Sequence, residues 1–261
     1  MLFGPRVFHT LHPKNVEAVL SANFEGKPSL FGSELSLEVV LMLLSLDFGF
    51  GVRRGVFYPL LGDGIFTQEG PAWKHSRELL RKQFARTQYQ KSDHFREHVD
   101  NLLARLPRQK GVVDLQPLFF RLTLDTTTAL LLGKSVHSLR ADDVVDAGDK
   151  AFAEGFNIAQ EGLAKRFRIA PWHFLYSPPK FKRACLTVHQ FVDDYIQQRD
   201  FKSEASGHAE SSFGFIDQVA HESSNDTMLR DQLINVLLAG RDTTACCLSW
   251  TMYVSRPQSL R

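Results

Sequence analysis

The sequence predicts a mainly α-helical domain with a small N-terminal β element and one long central helix. Apolar residues recur at intervals of three and four over most of the chain, which is typical of helices packed on a core. The segment Asn235–Trp250 is apolar on nearly all sides, which is typical of a helix at the centre of a large domain. Arg6–Leu11 alternates in the way that predicts a short strand.

The composition bounds the size of the domain and its class. The 261 residues are enough for one domain with a sizeable core. The net charge of +2 argues against a protein that binds nucleic acid through bulk charge, so no nucleic-acid partner is expected. The three cysteines imply no disulfide framework, and no apolar run reaches the ~18–20 residues that span a bilayer. A cytoplasmic or peripheral location is therefore expected for this chain.

One segment near the start departs from a simple helical pattern. A short helix is predicted at Lys14–Leu20, after Pro13. Residues 26–46 do not fit, because joining Glu25 directly to Asp47 would give one compact loop. Two explanations stay open for this segment: an untranslated stretch retained by a wrong gene model, or a genuine extra helix packed on the core.

Helical periodicity predicts most of the scaffold. Asp125 and the hydroxyl groups of Thr126–Thr128 are expected to bond to nearby backbone, and Gly133 is expected to stop its helix. The segments with this periodicity are Phe95–Leu106, Asp114–Gly133, Ala147–Ala164, Phe181–Arg199 and Phe213–Ala220. Without further context, the third and fourth of these segments indicate an ordinary helical hairpin.

A tryptophan and an arginine share one face of another predicted helix. Gly62-Asp63-Gly64 predicts a tight bend, and Pro71 suits a first helical turn. Trp73 and Arg77 follow four residues apart. Indole is a hydrogen-bond donor only, and guanidinium is a rigid fork that matches carboxylate. Without context such a pair is more often a core tryptophan beside a solvated arginine.

The central helix contains polar residues that require an explanation. Asp242, Thr243 and Thr244 follow Gly240, and the Ala239-Gly240 pair is expected to break the helix. An unpaired buried polar group costs about 1–3 kcal/mol, and glycine weakens a helix by about 1 kcal/mol relative to alanine. Either Asp242 caps the second half of a kinked helix while the threonines bond back to carbonyls, or a ligand presses against a notch of small residues.

Two motifs resemble parts of the cytochrome P-450 superfamily of haem-thiolate monooxygenases. Ala239-Gly240-x-Asp242-Thr243-Thr244 is similar to the oxygen-binding groove of that family's long central helix. The series LLGDGIF, WKHSR and LRKQF, within residues 60–84, resembles the third helix of the fungal branch that hydroxylates alkanes and fatty acids. The resemblance implies that residues 1–261 form a single, incomplete cytochrome P-450 domain, equivalent to roughly the first half of the fold.

The resemblance also implies a haem cofactor and a role for each motif residue. In the family, the tryptophan and arginine hold a haem propionate, which assigns Trp73 and Arg77. Ala239 and Gly240 would leave room for the porphyrin and dioxygen, with Thr244 beside them. Asp242 and Thr243 would relay protons, which is general-acid work.

The family's metal ligand has no match in the sequence. No F-x-x-G-x-R-x-C-x-G loop and no E-x-x-R motif follows the central helix. Arg183-x-Cys185 lacks the glycines of the cysteine loop, and Cys246 and Cys247 lie inside a helix, so none of the three is assigned as iron ligand. We therefore expect the C-terminal haem-thiolate half to be absent and the chain as written to be inactive.

The resemblance implies partners for the intact family member. These are a long-chain apolar substrate, an NADPH-dependent reductase as electron donor, and a membrane surface of the endoplasmic reticulum. A different class of function stays open, in which the chain is a non-catalytic helical fragment that binds a lipid or a protein partner.

Overall fold

The computed structural model describes residues 12–14, 51–84, 93–107, 112–140, 145–206, 219 and 225–255, with backbone alone for 93–94 and 199–206. The helices of these ranges are α1 (Arg53–Leu61), α2 (Gly70–Phe84), α3 (Asp93–Arg105), α4 (Gln116–Leu132), α5 (Ala147–Arg168), α6 (Pro179–Ser206) and α7 (Asp226–Val254). A short 3-10 helix, His173–Leu175, lies between α5 and α6.

The prediction of a mainly α-helical domain is confirmed, because every regular element of the described ranges is a helix. The predicted strand Arg6–Leu11 and residues 26–46 lie outside the described residues. So does the predicted helix Phe213–Ala220 except for Val219, and the predicted helix Lys14–Leu20 except for Lys14, which is helical.

The core forms where α7 packs along α4 and α6, and where α5 pairs with α6. The pairing of α5 and α6 is an antiparallel hairpin, as predicted, since Phe152 stacks on Phe191 while Gly162 lies against Phe181. α1 crosses α5, α6 and α7 and closes one side of this core. Burial of apolar surface at about 25 cal/mol per Å² drives this arrangement.

Local sequence explains where several helices begin and end. α4 ends at Gly133 with φ 71°, the left-handed conformation that glycine adopts without strain, which confirms the predicted stop. α5 begins after Asp146, whose carboxylate accepts from Gly148 N. α7 begins after Asn225, whose side chain accepts from the backbone N–H groups of Thr227 and Met228.

The predicted break in α7 at Ala239-Gly240 is wrong, because the helix runs from Asp226 to Val254 without interruption. Gly240 faces α4 at the place where a Cβ atom would lie 2.9 Å from Thr127 Oγ1. The glycine therefore allows close packing of two helices, and this packing offsets its low helix propensity. Residues 231–237 of α7 are buried, whereas Thr243, Thr244 and Trp250 are exposed, so only the first half of α7 is a central buried helix.

The expected local bonding in α4 is confirmed for Thr126 and Thr128, which donate to Leu122 O and Leu124 O over 2.9 Å each. The same expectation is wrong for Asp125. Its carboxylate accepts from Ser138 N over 2.7 Å and from Leu139 N over 3.1 Å, beyond the end of the helix. A fully buried carboxylate requires donors, and the chain that follows α4 supplies them.

None of the helices in the described ranges is long and apolar enough to cross a bilayer.

Candidate functional site

Thr243 presents its hydroxyl on the exposed side of α7, one turn after the small-residue pair. Its Oγ1 donates to Ala239 O over 2.7 Å, which confirms for Thr243 the expected bond back to the preceding turn. Thr243 and Thr244 are exposed, and Ala239 and Gly240 are half-buried. Since the hydroxyl proton is used by Ala239 O, the free lone pairs of Thr243 Oγ1 are available to accept from a ligand or a water.

Asp242 does not cap a half-helix, and that interpretation is wrong because α7 is continuous there. Its carboxylate accepts from Gln160 Nε2 of α5 and lies 3.2 Å from Arg241 Nη1. Burial raises the pKa of Asp242, while Arg241 and the Gln160 amide act in the opposite direction. Successive helical residues are rotated by about 100°, so Asp242 faces α5 while Thr243 faces solvent.

Arg241 is the buried centre of this side of the helix. It is 6% exposed, and its guanidinium carbon lies 5.0 Å from the Phe120 ring centroid and 5.4 Å from that of Phe156. Its Nη atoms donate to Gln160 Oε1 and Asn157 Oδ1 of α5. Burial lowers the pKa of Arg241, and Asp242 opposes that effect. The network fixes α5 against the polar side of α7.

Trp73 and Arg77 lie together on α2, as their spacing predicts. The guanidinium carbon of Arg77 is 5.2 Å from the Trp73 ring centroid, which is a cation–π distance. Trp73 is half-buried and Arg77 is exposed. The pair therefore offers an exposed guanidinium group that lies at cation–π distance from an aromatic ring.

A buried polar contact connects α2 with α7. Gln232 Nε2 donates to Ser76 Oγ over 2.5 Å, and Ser76 Oγ donates to Gln68 Oε1 over 2.5 Å. Gln232 and Ser76 are both 0% exposed. Gln232 precedes Ala239 by seven residues, which is about 10 Å along a helix axis. The structure thus joins α2 to α7 at Ser76 and Gln232, about two helical turns before the Ala239-Gly240 pair.

The cysteines provide no thiolate at this site. Cys185 is 4% exposed, and burial raises the pKa of its thiol to about 12, so it stays protonated at neutral pH. Cys246 and Cys247 are exposed on α7. Within the described ranges, no three His, Cys, Asp or Glu side chains lie together in a way that would hold a metal ion.

The described residues include a group that suits a haem propionate, but their cysteines offer no thiolate for the haem iron. The exposed guanidinium of Arg77 suits a propionate, because guanidinium and carboxylate form paired charge-assisted hydrogen bonds. The thiolate that haem iron requires in this family is not supplied by any cysteine of the described residues.

Sequence reasoning missed the polar residues that organise this region. They are Asn157, Gln160 and Arg241 at the α5 side, and Asp231, Gln232 and Asn235 in the first half of α7. A signal was present for the second group, because three polar residues within five positions of an apolar segment must find partners when buried.

Comparison with known proteins identifies relatives over nearly the whole chain. The family model described as cytochrome P450 matches residues 14–254. A protein named cytochrome P450 from Arthroderma benhamiae is 38% identical over 97% of this chain and 44% of its own length. Cytochrome P450 52A12 of Debaryomyces hansenii is 39% identical over 96% of this chain and 46% of its own length. Cytochrome P450 52A4 of Candida maltosa is 36% identical over 97% and 44%.

The fold has a solved counterpart. The crystal structure of the cytochrome P450DA heme domain matches with a TM-score of 0.60 and 21% identity, covering 77% of this chain and 44% of that one. The present chain spans about half the length of the curated relatives it matches. The family model matches most of the chain, and the fungal relatives include members of the 52A group. These two findings establish that this chain belongs to the cytochrome P450 family.

Proposed function

We propose that these 261 residues are part of a haem-dependent monooxygenase that hydroxylates long-chain alkanes or fatty acids. The observation that carries the proposal is the bond from Thr243 Oγ1 to Ala239 O, because it fixes a hydroxyl on the exposed side of the A-G-x-D-T-T segment. The 52A relatives support the branch, since the motifs within residues 60–84 resemble the alkane and fatty-acid hydroxylases.

Haem is the cofactor of the cytochrome P450 family. We assign Trp73 and Arg77 to a propionate, and Ala239 and Thr244 to the side of α7 that the porphyrin contacts. Gly240 has an indirect part, because its open side faces Thr127 and brings α7 close to α4. When bound through a cysteine thiolate, haem supplies the activation of dioxygen for insertion of one oxygen atom into a C–H bond.

Thr243 and Asp242 would deliver protons in this proposal. Thr243 Oγ1 has lone pairs free to hold a water at the exposed side of α7. The Asp242 side chain is 39% exposed, so it can exchange protons with solvent, and burial raises its pKa. The two side chains point in different directions, so a water must connect them.

We further propose that the 261-residue polypeptide by itself does not turn over. An oxygen-activating haem of this family requires a thiolate, and Cys185 has a pKa of about 12 inside the core. Cys246 and Cys247 lie in the interior of the helix that carries Thr243, without the glycine-containing loop that supplies the thiolate in this family.

The proposed partners are an apolar chain as substrate, an NADPH-dependent reductase, and the membrane surface of the endoplasmic reticulum. The region formed by the end of α5, the connecting segment and the start of α6 supports the membrane contact, because it exposes large apolar side chains beside basic ones. The apolar residues are Phe167, Trp172, Phe174 and Leu175, and the exposed basic residues are Lys165, Arg168, Lys180, Lys182 and Arg183.

The proposal is tested first by titrating the chain with haemin and following tryptophan fluorescence in a Trp172→Phe/Trp250→Phe background, where Trp73 alone reports. Arg77→Gln should weaken binding about tenfold, and Arg81→Gln on the same helix should not. Reduced haemin in the presence of carbon monoxide should give no thiolate-type absorption. A thiolate band would overturn the proposed inactivity, and equal haemin affinity in both variants would remove Arg77 from the site.

The monooxygenase itself is tested in a chimera that joins this chain to the matching C-terminal part of the Debaryomyces hansenii relative. With a reductase and NADPH, the chimera should hydroxylate palmitate or hexadecane, and Thr243→Val should lower product formed per NADPH consumed. A chimera that binds haem with thiolate-type absorption but acts on neither substrate would contradict the proposed substrate class.

The second candidate function is a non-catalytic helical protein that binds a lipid or a protein partner. The exposed apolar side chains at the end of α7 favour it: Trp250, Met252, Tyr253 and Val254. A monodisperse chain with a cooperative thermal transition that binds palmitate but not haemin would support this function. Aggregation of the purified chain would count against it.

A further inference from the structure

Three polar side chains are buried in the first half of α7, and two of them bond to one neighbouring segment. Asp231 is 4% exposed, and Gln232 and Asn235 are 0% exposed. Asp231 Oδ2 accepts from Asp63 N over 2.8 Å, and Asn235 Oδ1 accepts from Phe66 N over 3.0 Å. Asn235 Nδ2 donates to Leu61 O over 2.8 Å. The last residue of α1 and the loop that follows it are thus attached to α7 at three backbone positions.

The attached loop, residues 62–69, is shaped to receive these side chains. Cβ atoms added at Gly62 and Gly64 would overlap the Asp231 carboxylate and the Asn235 amide. Gly62 also has φ 55°, in the region that favours glycine. Thr67 closes the loop internally, because its Oγ1 donates to Gly62 O over 2.7 Å and accepts from Gly64 N over 2.9 Å. Gly62 and Gly64 therefore leave the space that the Asp231 carboxylate and the Asn235 amide occupy.

Gln232 extends the attachment from the loop to α2. Its amide donates to Ser76, which in turn donates to Gln68 at the end of the loop. Ser76 immediately precedes Arg77 and follows Trp73 by three residues, so it lies within a turn of both. A displacement of Ser76 relative to α7 would therefore displace the indole and the guanidinium.

We propose that Asp231, Gln232 and Asn235 are positioning residues that set the register of α2 against α7, and through it the distance from the Trp73–Arg77 pair to the Ala239–Thr244 segment. The proposal rests on the proposed function for the identity of the ligand that spans the two. A site that binds one rigid ligand at two helices needs both helices held within a fraction of an ångström. A relay of buried hydrogen bonds supplies such a constraint, because each bond restricts the distance and direction between its two partners.

The register is measured with spin labels in the full 261-residue chain. One label is attached at Glu78→Cys on the exposed side of α2, and the other is attached at Cys246 on α7. The substitution Cys247→Ser removes the neighbouring thiol, and Cys185 is kept because it is buried and stays unlabelled. Gln232→Leu removes the donor at nearly constant volume, and Ser76→Ala cuts the same relay at its other end with a smaller change. Thr128→Val is the matched control, since it removes a buried hydroxyl whose hydrogen bonds go to Leu124 O, Asp125 O and Val136 N, and not to the loop or α2.

Gln232→Leu and Ser76→Ala should both broaden the Glu78→Cys to Cys246 distance distribution, and Thr128→Val should leave it narrow. In unlabelled protein with Trp73 as reporter, the first two variants should weaken haemin binding about tenfold, while Thr128→Val matches the parent. An unchanged distance distribution in both relay variants would overturn the positioning role, whether or not their haemin affinity changes.

The remaining outcomes separate the two proposals. A broadened distribution in a chain whose parent form does not bind haemin supports the positioning role and overturns the proposed ligand. A broadened distribution together with unchanged haemin affinity, in a chain where Arg77→Gln does weaken binding, overturns the link from register to ligand.

Discussion

Gly240 of α7 lies directly against Thr127 of α4, and a Cβ atom on Gly240 would lie 2.9 Å from Thr127 Oγ1 and 3.0 Å from its Cγ2. This contact determines how closely α7 and α4 approach each other, and these two helices form the most extensive helix–helix packing of the described ranges. The glycine of the A-G-x-D-T-T segment is thus required by helix packing, independently of any ligand.

Gly240→Ala should lower the free energy of unfolding by about 1 kcal/mol. Overpacking a fitted contact costs about 1–3 kcal/mol, and the better helix propensity of alanine returns about 1 kcal/mol. In a Thr127→Ala background the clash is absent, so the same substitution should become neutral or stabilising. Urea unfolding of the four proteins of this cycle measures the coupling. Equal destabilisation in both backgrounds would show that Thr127 is not the contact that requires glycine.

Arg166 holds the end of α5 to α1 through backbone acceptors. It is 5% exposed and donates to Val56 O over 2.9 Å, to Gly55 O over 2.8 Å and to Tyr176 O over 2.8 Å. Arg166→Met keeps the length and loses all three donors, so it should lower the free energy of unfolding by about 3 kcal/mol. Arg168→Met, at an exposed position two residues later, should change it by less than about 0.5 kcal/mol. Similar unfolding midpoints for the two variants would contradict the assigned role.

Periodicity and turn chemistry predict the scaffold because they act over a few residues. Gly133 stops α4, and the four-residue spacing places Trp73 beside Arg77, as the sequence alone predicts. The predicted break at Ala239-Gly240 is wrong for a related reason. Propensity is local, and the packing of Gly240 on Thr127, more than one hundred positions earlier, outweighs it.

Tertiary partners of polar residues could not be predicted from the chain. Asp242 is paired with Gln160 and Arg241, and nothing in the sequence near Gln160 distinguishes it from any other helical glutamine. Asp125 likewise binds the N–H groups of Ser138 and Leu139, whose availability depends on how the chain leaves α4. A polar residue in a segment that is predicted to be buried indicates that a hydrogen-bond partner exists, but only the fold identifies that partner.

The buried carboxyl of Asp125 should contribute a pH dependence opposite to the usual one. Burial raises its pKa above the ordinary 3.8, against the opposing effect of the Ser138 and Leu139 donors and of nearby His98. Between the unfolded and the folded pKa the native state then binds more protons than the unfolded state, so stability falls as pH rises through this window. Asp125→Asn removes the titration.

The measurement is the free energy of unfolding of both proteins from pH 7 to pH 4. The stability of the parent chain minus that of Asp125→Asn should increase as pH falls into the window above 3.8. Subtraction removes the other shifted carboxyls, Asp231 and Asp242 among them, because they are common to both proteins. A difference that decreases on acidification would mean that the donors outweigh burial and that the folded pKa of Asp125 is depressed.

The three thiols should differ sharply in reactivity. Cys246 and Cys247 are exposed, whereas Cys185 is 4% exposed with a pKa of about 12. At pH 8 a thiol with that pKa is roughly one part in 10⁴ thiolate, and the thiolate is the reactive form. A thiol-specific reagent should therefore modify two groups rapidly in the native chain and the third only on unfolding, with Cys185→Ala abolishing the slow phase. Rapid modification of Cys185 under native conditions would show that α6 opens at this point and that the core between α5 and α6 is not the one described.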